Sequence, residues 1–395
     1  MEWSFDRIKL SEKLKKYRQD LHRIPELAFQ ETETAIYIQS CLDQLGVQYE
    51  SEVAGTGVLA FIPGKSGKTT FCFRADMDAL EVNELNDVDY KSQKPGCMHA
   101  CGHDGHMSIL LGLANVLTSD EIELEDNVVL LFQPGEEGTG GADIIVQSGI
   151  LDQYGVKEIY GLHLFPGIQQ GKLGIVSGPM MAQNSEIDIT VWGENAHGGL
   201  PHSGNDALII ASHLLTVFQT IVSRNINPLE PAVITFGTFN GGEVRNIIAK
   251  KATMEGTIRT FSESSYDTLK KRLLAIIRGS EITFDCQIDV DLRELYPPVV
   301  NPPEMVEEWV SAQDPRLVEM TDPIMLAEDF SFYQRKYPSL FFFLGTQNPK
   351  KNMLYPLHHG QFNFDEDVLS LGVQAFLNIL IKRSAVELDE ESERE

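Results

Sequence analysis

Apolar residues at Ile8, Leu10, Leu14, Tyr17 and Leu21 recur with helical spacing and predict a helix over 5–23, which Pro25 stops. A second helix is predicted over 31–45, with Ala35, Ile38, Leu42 and Leu45 on one face and Gly46 as its stop. Short apolar runs then predict strands over 47–52, 57–62 and 69–74, the last two separated by the turn Pro63-Gly64-Lys65-Ser66-Gly67. Further strands over 128–133 and 158–162 alternate with helices over 105–117 and 142–147. Strands alternating with helices imply an α/β fold built on a mostly parallel sheet flanked by helices.

The pattern changes after 184. Over 185–193, Ile187, Ile189 and Val191 alternate with polar residues, as in a strand with one wet face. A helix over 206–223, strands over 232–239 and 252–261, a helix over 266–278 and a strand over 282–291 follow. This stretch, 184–295, reads as an inserted α+β domain of four antiparallel strands with two helices on one face. The first domain is then discontinuous, 1–183 and 296–395, re-entered through Tyr296-Pro297-Pro298 and completed by a strand over 339–344 and a helix over 365–382. The edge strand of the insertion can pair with a second copy, so a homodimer or higher homo-oligomer through the inserted domain is expected.

Composition narrows the function. The net charge of −26 argues against nucleic acid and anionic membranes as partners, because both need a basic footprint. No run of 18 apolar residues suggests a membrane span, and Met1-Glu2-Trp3-Ser4-Phe5-Asp6-Arg7 does not read as a signal peptide. Five cysteines in 395 residues fit reduced thiols rather than a disulfide scaffold, so a cytoplasmic location is expected. The acidic tail over 387–395 is expected to be solvated and frayed.

The chemistry concentrates in Gly96-Cys97-Met98-His99-Ala100-Cys101-Gly102-His103-Asp104-Gly105-His106. Thiolate and imidazole suit Zn²⁺ and its first-row neighbours. Cys97, His99, Cys101 and His103 alternate, which leaves open a mononuclear structural zinc. Against that reading, Asp78, Glu136, Glu137 and His163 all fall just beyond the carboxyl ends of predicted strands, where ligands bind in open α/β sheets. A catalytic metal site needs one carboxylate for the metal and another group to take a proton, and adjacent Glu136 and Glu137 can divide those roles.

Several motifs together carry a resemblance: Arg74-Ala75-Asp76-Met77-Asp78-Ala79-Leu80, Met98-His99-Ala100-Cys101-Gly102-His103-Asp104, Gly135-Glu136-Glu137-Gly138, Glu328-Asp329-Phe330 and Pro356-Leu357-His358-His359. The chain resembles the amidohydrolase branch of the dimetal aminoacylase and carboxypeptidase superfamily. That branch includes hippurate hydrolases, N-acyl-amino-acid deacylases, auxin-conjugate hydrolases and N-acetyldiaminopimelate deacetylases. The resemblance implies a zinc-exopeptidase-like catalytic domain holding two divalent ions (Zn, Mn, Co or Ni) on Cys101, His103, Glu137, His163 and His358. It implies Glu136 as general base and Asp78 as the residue that orients a ligand, and it leaves Cys97 and His99 as neighbours. In the inserted domain it implies that His197 reaches a partner subunit's site to stabilise the oxyanion, and that Asn246 and Arg259 bind substrate. Two stretches depart from the common pattern. Ala196 precedes His197 where relatives have Gly, and Ile248-Ala249-Lys250 follows the Asn246 motif in a form closer to the acetyl-diaminopimelate deacetylases.

The expected activity is hydrolysis of a small N-acyl-L-amino acid, releasing an acetyl, benzoyl or similar group by attack of a metal-activated water. The alternatives are an N-acetyl-diaminopimelate deacetylase of lysine biosynthesis, or a dipeptidase or exopeptidase using the same site.

Overall fold

The computed structural model describes residues 7–388. Residues 1–6 and 389–395 lie outside the described residues, and with them the start of the expected first helix, the expected absence of a signal peptide and most of the acidic tail. The chain forms two compact units.

The first unit is built from the described residues of Met1–Gly178, Val300–Asp322 and Phe332–Glu395. Its eight-stranded sheet has the order Gln48–Val53, Gly57–Ile62, Asn127–Gln133, Thr70–Asp76, Val156–Gln169, Ser339–Gln347, Leu173–Ile175, Val318–Met320. The centre is parallel: Thr70–Asp76 pairs in parallel with both Asn127–Gln133 and Val156–Gln169, which pairs in parallel with Ser339–Gln347. The strands on the Gln48 side are antiparallel, as is the pairing of Ser339–Gln347 with Leu173–Ile175. The sheet is thus mostly parallel, as expected, with a parallel middle and antiparallel pairings toward its margins. Thr70–Asp76 is buried at every position, as a strand covered on both faces must be.

One helix, His103–Leu117, is buried along its whole length. Its own apolar residues fall on every side of it, which is the pattern of a core helix rather than a surface one. Leu110, Leu111 and Leu113 are fully enclosed, so trimming one to Ala costs about 2–5 kcal/mol. The helix is thus a rigid mount for the residues of its first turn. It begins at His103 rather than at 105, directly after Gly102, whose φ of +89° only glycine adopts readily.

Two further boundaries differ from expectation. The strand predicted to end at 162 runs on to Gln169, because residues beyond His163 pair with Ser339–Gln347. His163 therefore stands within a strand rather than at its tip. At the other terminus, Val386–Leu388 pairs with Ile122–Leu124, so the tail's first residues are strand rather than frayed chain.

The second unit comprises Pro179–Val299 and Pro323–Ser331. Its antiparallel four-stranded sheet has the order Ala232–Gly241, Lys251–Thr260, Gln183–Trp192, Gln287–Glu294. Helices Ala207–Asn225 and Glu263–Phe284 share one apolar core with the inward residues Ile187, Ile189, Val191, Met254 and Ile258. Ala207–Asn225 is long and apolar enough to cross a membrane, but its buried residues Ile210, Ala211, Leu214, Phe218 and Ile221 form a helical stripe in that core. The helix predicted to stop at 278 extends to Phe284, and the strand predicted from 282 starts at Gln287.

Candidate metal centre

The first unit gathers Cys101, His103, Glu136, Glu137, His163 and His358 into overlapping groups. The ligating atoms of Cys101, His103 and His163 lie within 4.8 Å of one another, as do those of Cys101, Glu137 and His358, and those of His103, Glu136 and Glu137. Cys101 belongs to two of these groups: its Sγ is 3.4 Å from Nε2 of His163 and 3.4 Å from Nε2 of His358. Among the described residues, no such group includes Cys97 or His99.

Two of the three imidazoles, those of His103 and His163, are aimed by the hydrogen bond of their other nitrogen. His103 Nδ1 lies 2.8 Å from the main-chain oxygen of Asp78, and His163 Nδ1 lies 2.7 Å from that of Leu164. A carbonyl oxygen accepts only, so in each neutral ring the proton sits on Nδ1 and the Nε2 lone pair faces the cluster. His103 Nε2 is buried with no hydrogen-bond partner. His358 takes a positive φ of 64° and is tied by its amide to Ala100 O at 2.9 Å. Its Nε2 is 3.1 Å from Glu137 Oε1, yet that oxygen has no partner in hydrogen-bond geometry. Lone pairs converging without partners are what a cation site requires.

The carboxylates are set by the turn after Asn127–Gln133. Gly135 has φ +69°, and a Cβ there would fall 2.4 Å from Phe29 Cζ, so glycine serves both the turn and the packing. Glu31, fully buried, accepts the Gly135 amide at 2.9 Å. The Glu137 amide donates to Asp78 Oδ2 at 2.8 Å. Asp78 thus holds one residue of each neighbouring motif, His103 through its carbonyl and Glu137 through its carboxylate.

The electrostatics favour a cation. Burial opposes protonation of His103, but Asp76 and Asp78 outweigh it and raise its pKa to about 10, so without a cation the ring takes a second proton on Nε2, which a metal ion would displace to reach the lone pair. Burial and the carboxylates of Glu137 and Glu136 push the Cys101 thiol well above its ordinary value, so its ionisation needs a compensating positive charge. Burial, with the neighbouring imidazole of His106, keeps His163 neutral and ready to donate its lone pair. The donor set of thiolate, imidazole and carboxylate fits two first-row divalent ions, and closed mononuclear structural chemistry does not call for this many groups.

The second unit places His197 and Asn246 together: Gly198 N donates to Asn246 O at 2.8 Å, and both side chains stand on exposed loops. The Gly199 amide donates to His197 Nδ1 at 3.0 Å, which leaves the ring proton on Nε2. Arg259 is half-buried on the strand Lys251–Thr260, and it hydrogen-bonds to Thr257 and Ile258 of that strand. Residues not singled out from the sequence also belong to the first unit's site. Glu31 buttresses the Gly135 turn, and His106 lies on the same face of its helix as His103. The i, i+3 spacing of the two histidines was the available signal for His106.

The chain also matches known proteins. The model of peptidase family M20/M25/M40 matches residues 72–382. The chain is 37% identical over 375 residues to a protein of Bacillus velezensis named N-acetyldiaminopimelate deacetylase, covering 94% of this chain and 98% of that one. It is 38% identical over 369 residues to the protein of the same name from Bacillus cytotoxicus, covering 92% and 96%. Among solved structures it is similar to the YXEP protein of Bacillus subtilis, described as a dinuclear metal binding peptidase from the M20 family. The TM-score is 0.82 at 29% identity, covering 95% of this chain and 99% of that one.

Proposed function

Because the chain belongs to peptidase family M20/M25/M40, a family of metal-dependent hydrolases of amide bonds, we propose that it removes the acetyl group from an N-acetyl amino acid, with N-acetyl-diaminopimelate as the preferred substrate. The observation that carries the chemistry is the convergence of five potential ligands and one further carboxylate, with Cys101 common to two groups. The substrate rests on the two Bacillus relatives, each matched over more than nine-tenths of this chain.

In this reading Cys101, His103, Glu137, His163 and His358 hold two divalent ions. When bound, such ions polarise the scissile carbonyl and make water nucleophilic near neutral pH. Glu136, 6% exposed at the edge of the cluster, accepts a proton from the attacking water and returns it to the leaving amine. Asp78 holds His103 and Glu137 in place. His197, with its proton on Nε2, donates to the developing oxyanion in the site of a second copy of the chain. Asn246 and Arg259 bind the substrate carboxylate. The protein works as a homodimer or larger homo-oligomer through the second unit, and in the cytoplasm.

A panel of N-acetyl-diaminopimelate, other N-acetyl amino acids, hippurate and dipeptides, assayed with defined added metals, tests the assignment. The highest kcat/KM is expected for N-acetyl-diaminopimelate. A higher value for dipeptides would replace deacylation by peptidase activity.

A further inference from the structure

We propose that His106 is a positioning residue that locks Leu164, and through Leu164 the ring of His163, in the arrangement needed for ligation. This rests on the reading of His163 as a metal ligand. His106 sits one turn into the helix His103–Leu117 and is buried. Its Nδ1 lies 2.6 Å from Asp76 Oδ1, and its Nε2 accepts the Leu164 amide at 2.9 Å. An amide can only donate, so Nε2 carries the lone pair and the proton sits on Nδ1, facing Asp76. The Leu164 carbonyl in turn lies 2.7 Å from His163 Nδ1. Leu164 is therefore held at both ends, its N–H by His106 and its C=O by the ring of His163.

The strand pairing explains why a side chain does this work. Thr70–Asp76 pairs with Val156–Gln169 only as far as Arg74 opposite Gly161. Leu164 lies past that point, where Thr70–Asp76 no longer supplies an acceptor, and His106 supplies it. Asp76 is fixed on its other oxygen by Arg74 Nη1 at 2.8 Å, and Arg74 Nε donates to Gln133 Oε1 at 2.8 Å. The result is a buried relay from Gln133 through Arg74, Asp76, His106 and Leu164 to His163. One helix thus sets two ligands, His103 on its own first residue and His163 through His106.

The competing role for His106 is ligation, since Asp76, His103 and His106 also bring ligand atoms together. Its two ring nitrogens are both engaged, one by Asp76 and one by Leu164, so it offers no free lone pair.

His106→Gln and His106→Asn separate the two contacts. The Gln oxygen reaches the place of Nε2 and accepts from Leu164. The Asn side chain reaches only as far as Nδ1 and leaves the Leu164 amide unpaired. Zinc affinity of the full chain is measured by competition with a chromophoric chelator, and ligand geometry by the visible spectrum of the cobalt-loaded protein. His106→Asn is expected to weaken one of the two ions by about 10–100-fold and to change the cobalt spectrum. His106→Gln is expected to recover most of both. Equal behaviour of the two variants, or retention of affinity by Asn alone, overturns the proposal. Should a variant not fold, ring-¹⁵N NMR of the wild-type zinc protein decides: a proton on Nδ1 of His106 supports the proposal and one on Nε2 overturns it. A wild type that binds two zinc ions with no loss in His163→Ala contradicts the ligand reading instead, so the two failures are distinct.

Discussion

Asp78 holds His103 through its main-chain oxygen, 2.8 Å from Nδ1, and the same residue's carboxylate accepts the Glu137 amide at 2.8 Å. One buried residue therefore sets the spacing between an imidazole and a carboxylate drawn from different motifs. Asp78→Ala is expected to weaken metal binding about 10–100-fold, because it frees the Glu137 backbone. Asp78→Asn, whose amide oxygen can still accept that N–H, is expected to lose less. Chelator competition on both variants checks the order, and equal affinities would remove Asp78 from the support of the site.

Glu136 and Glu137 are neighbours with different expected roles. Glu136→Gln should keep both ions and lose about 10²–10⁴-fold in kcat, the usual range for a general acid–base group. Metal content and turnover measured on the same sample check this. Near-wild-type turnover would exclude Glu136 from proton transfer.

Arg18 is 1% exposed, with Nε 3.0 Å from Asp104 Oδ2 and its guanidinium stacked on Tyr90 and Phe364. Asp104 follows His103 at the start of the buried helix, so this pair anchors the end that carries the site. Arg18→Met removes the arginine partner of this buried carboxylate and is expected to cost about 3–5 kcal/mol in denaturant unfolding. A loss below about 1 kcal/mol would show that Asp104 is compensated by other groups, His22 first among them.

Asp365 supplies a pH dependence remote from the metal cluster. Burial opposes its ionisation, but Lys351 at 2.6 Å and Gln170 at 2.9 Å outweigh it and hold the carboxyl below its ordinary value of 3.8. A depressed carboxyl stabilises the fold above the unfolded value and loses that contribution as pH falls through the folded one. Asp365→Asn should therefore be less stable than wild type near neutrality, with the difference shrinking below about pH 4. Lys351 is half exposed, so the gap is about 1 kcal/mol or less. Urea midpoints of the metal-free proteins from neutral to acid pH check it, and a gap that stays constant or grows in acid contradicts it.

Much of this architecture is legible from local pattern. Ile187, Ile189 and Val191 alternate because one face of their strand meets helices and the other meets water. The candidate ligands stand out because Cys and His crowd into one short stretch and the paired Glu follow an apolar run that ends in a glycine turn. What local pattern misses depends on distant partners. Residues after His163 stay in a strand only because Ser339–Gln347 lies beside them. The three-residue strands Leu173–Ile175 and Val318–Met320 are too short to show a period. His106 looks like a spare member of a histidine-rich motif until Asp76 and Leu164 are seen on its two nitrogens. The second helix of the inserted unit overran its predicted end because Ile282 and Phe284 read equally well as strand.

The central claim is that two metal ions share one ligand cluster in the first unit. Anomalous diffraction from a crystal grown with excess Zn²⁺ tests it most directly. Two strong peaks per chain are expected, about 3.5–4 Å apart, bounded by Cys101, His103, Glu137, His163 and His358. A single peak, or density centred on Cys97 and His99, would contradict it.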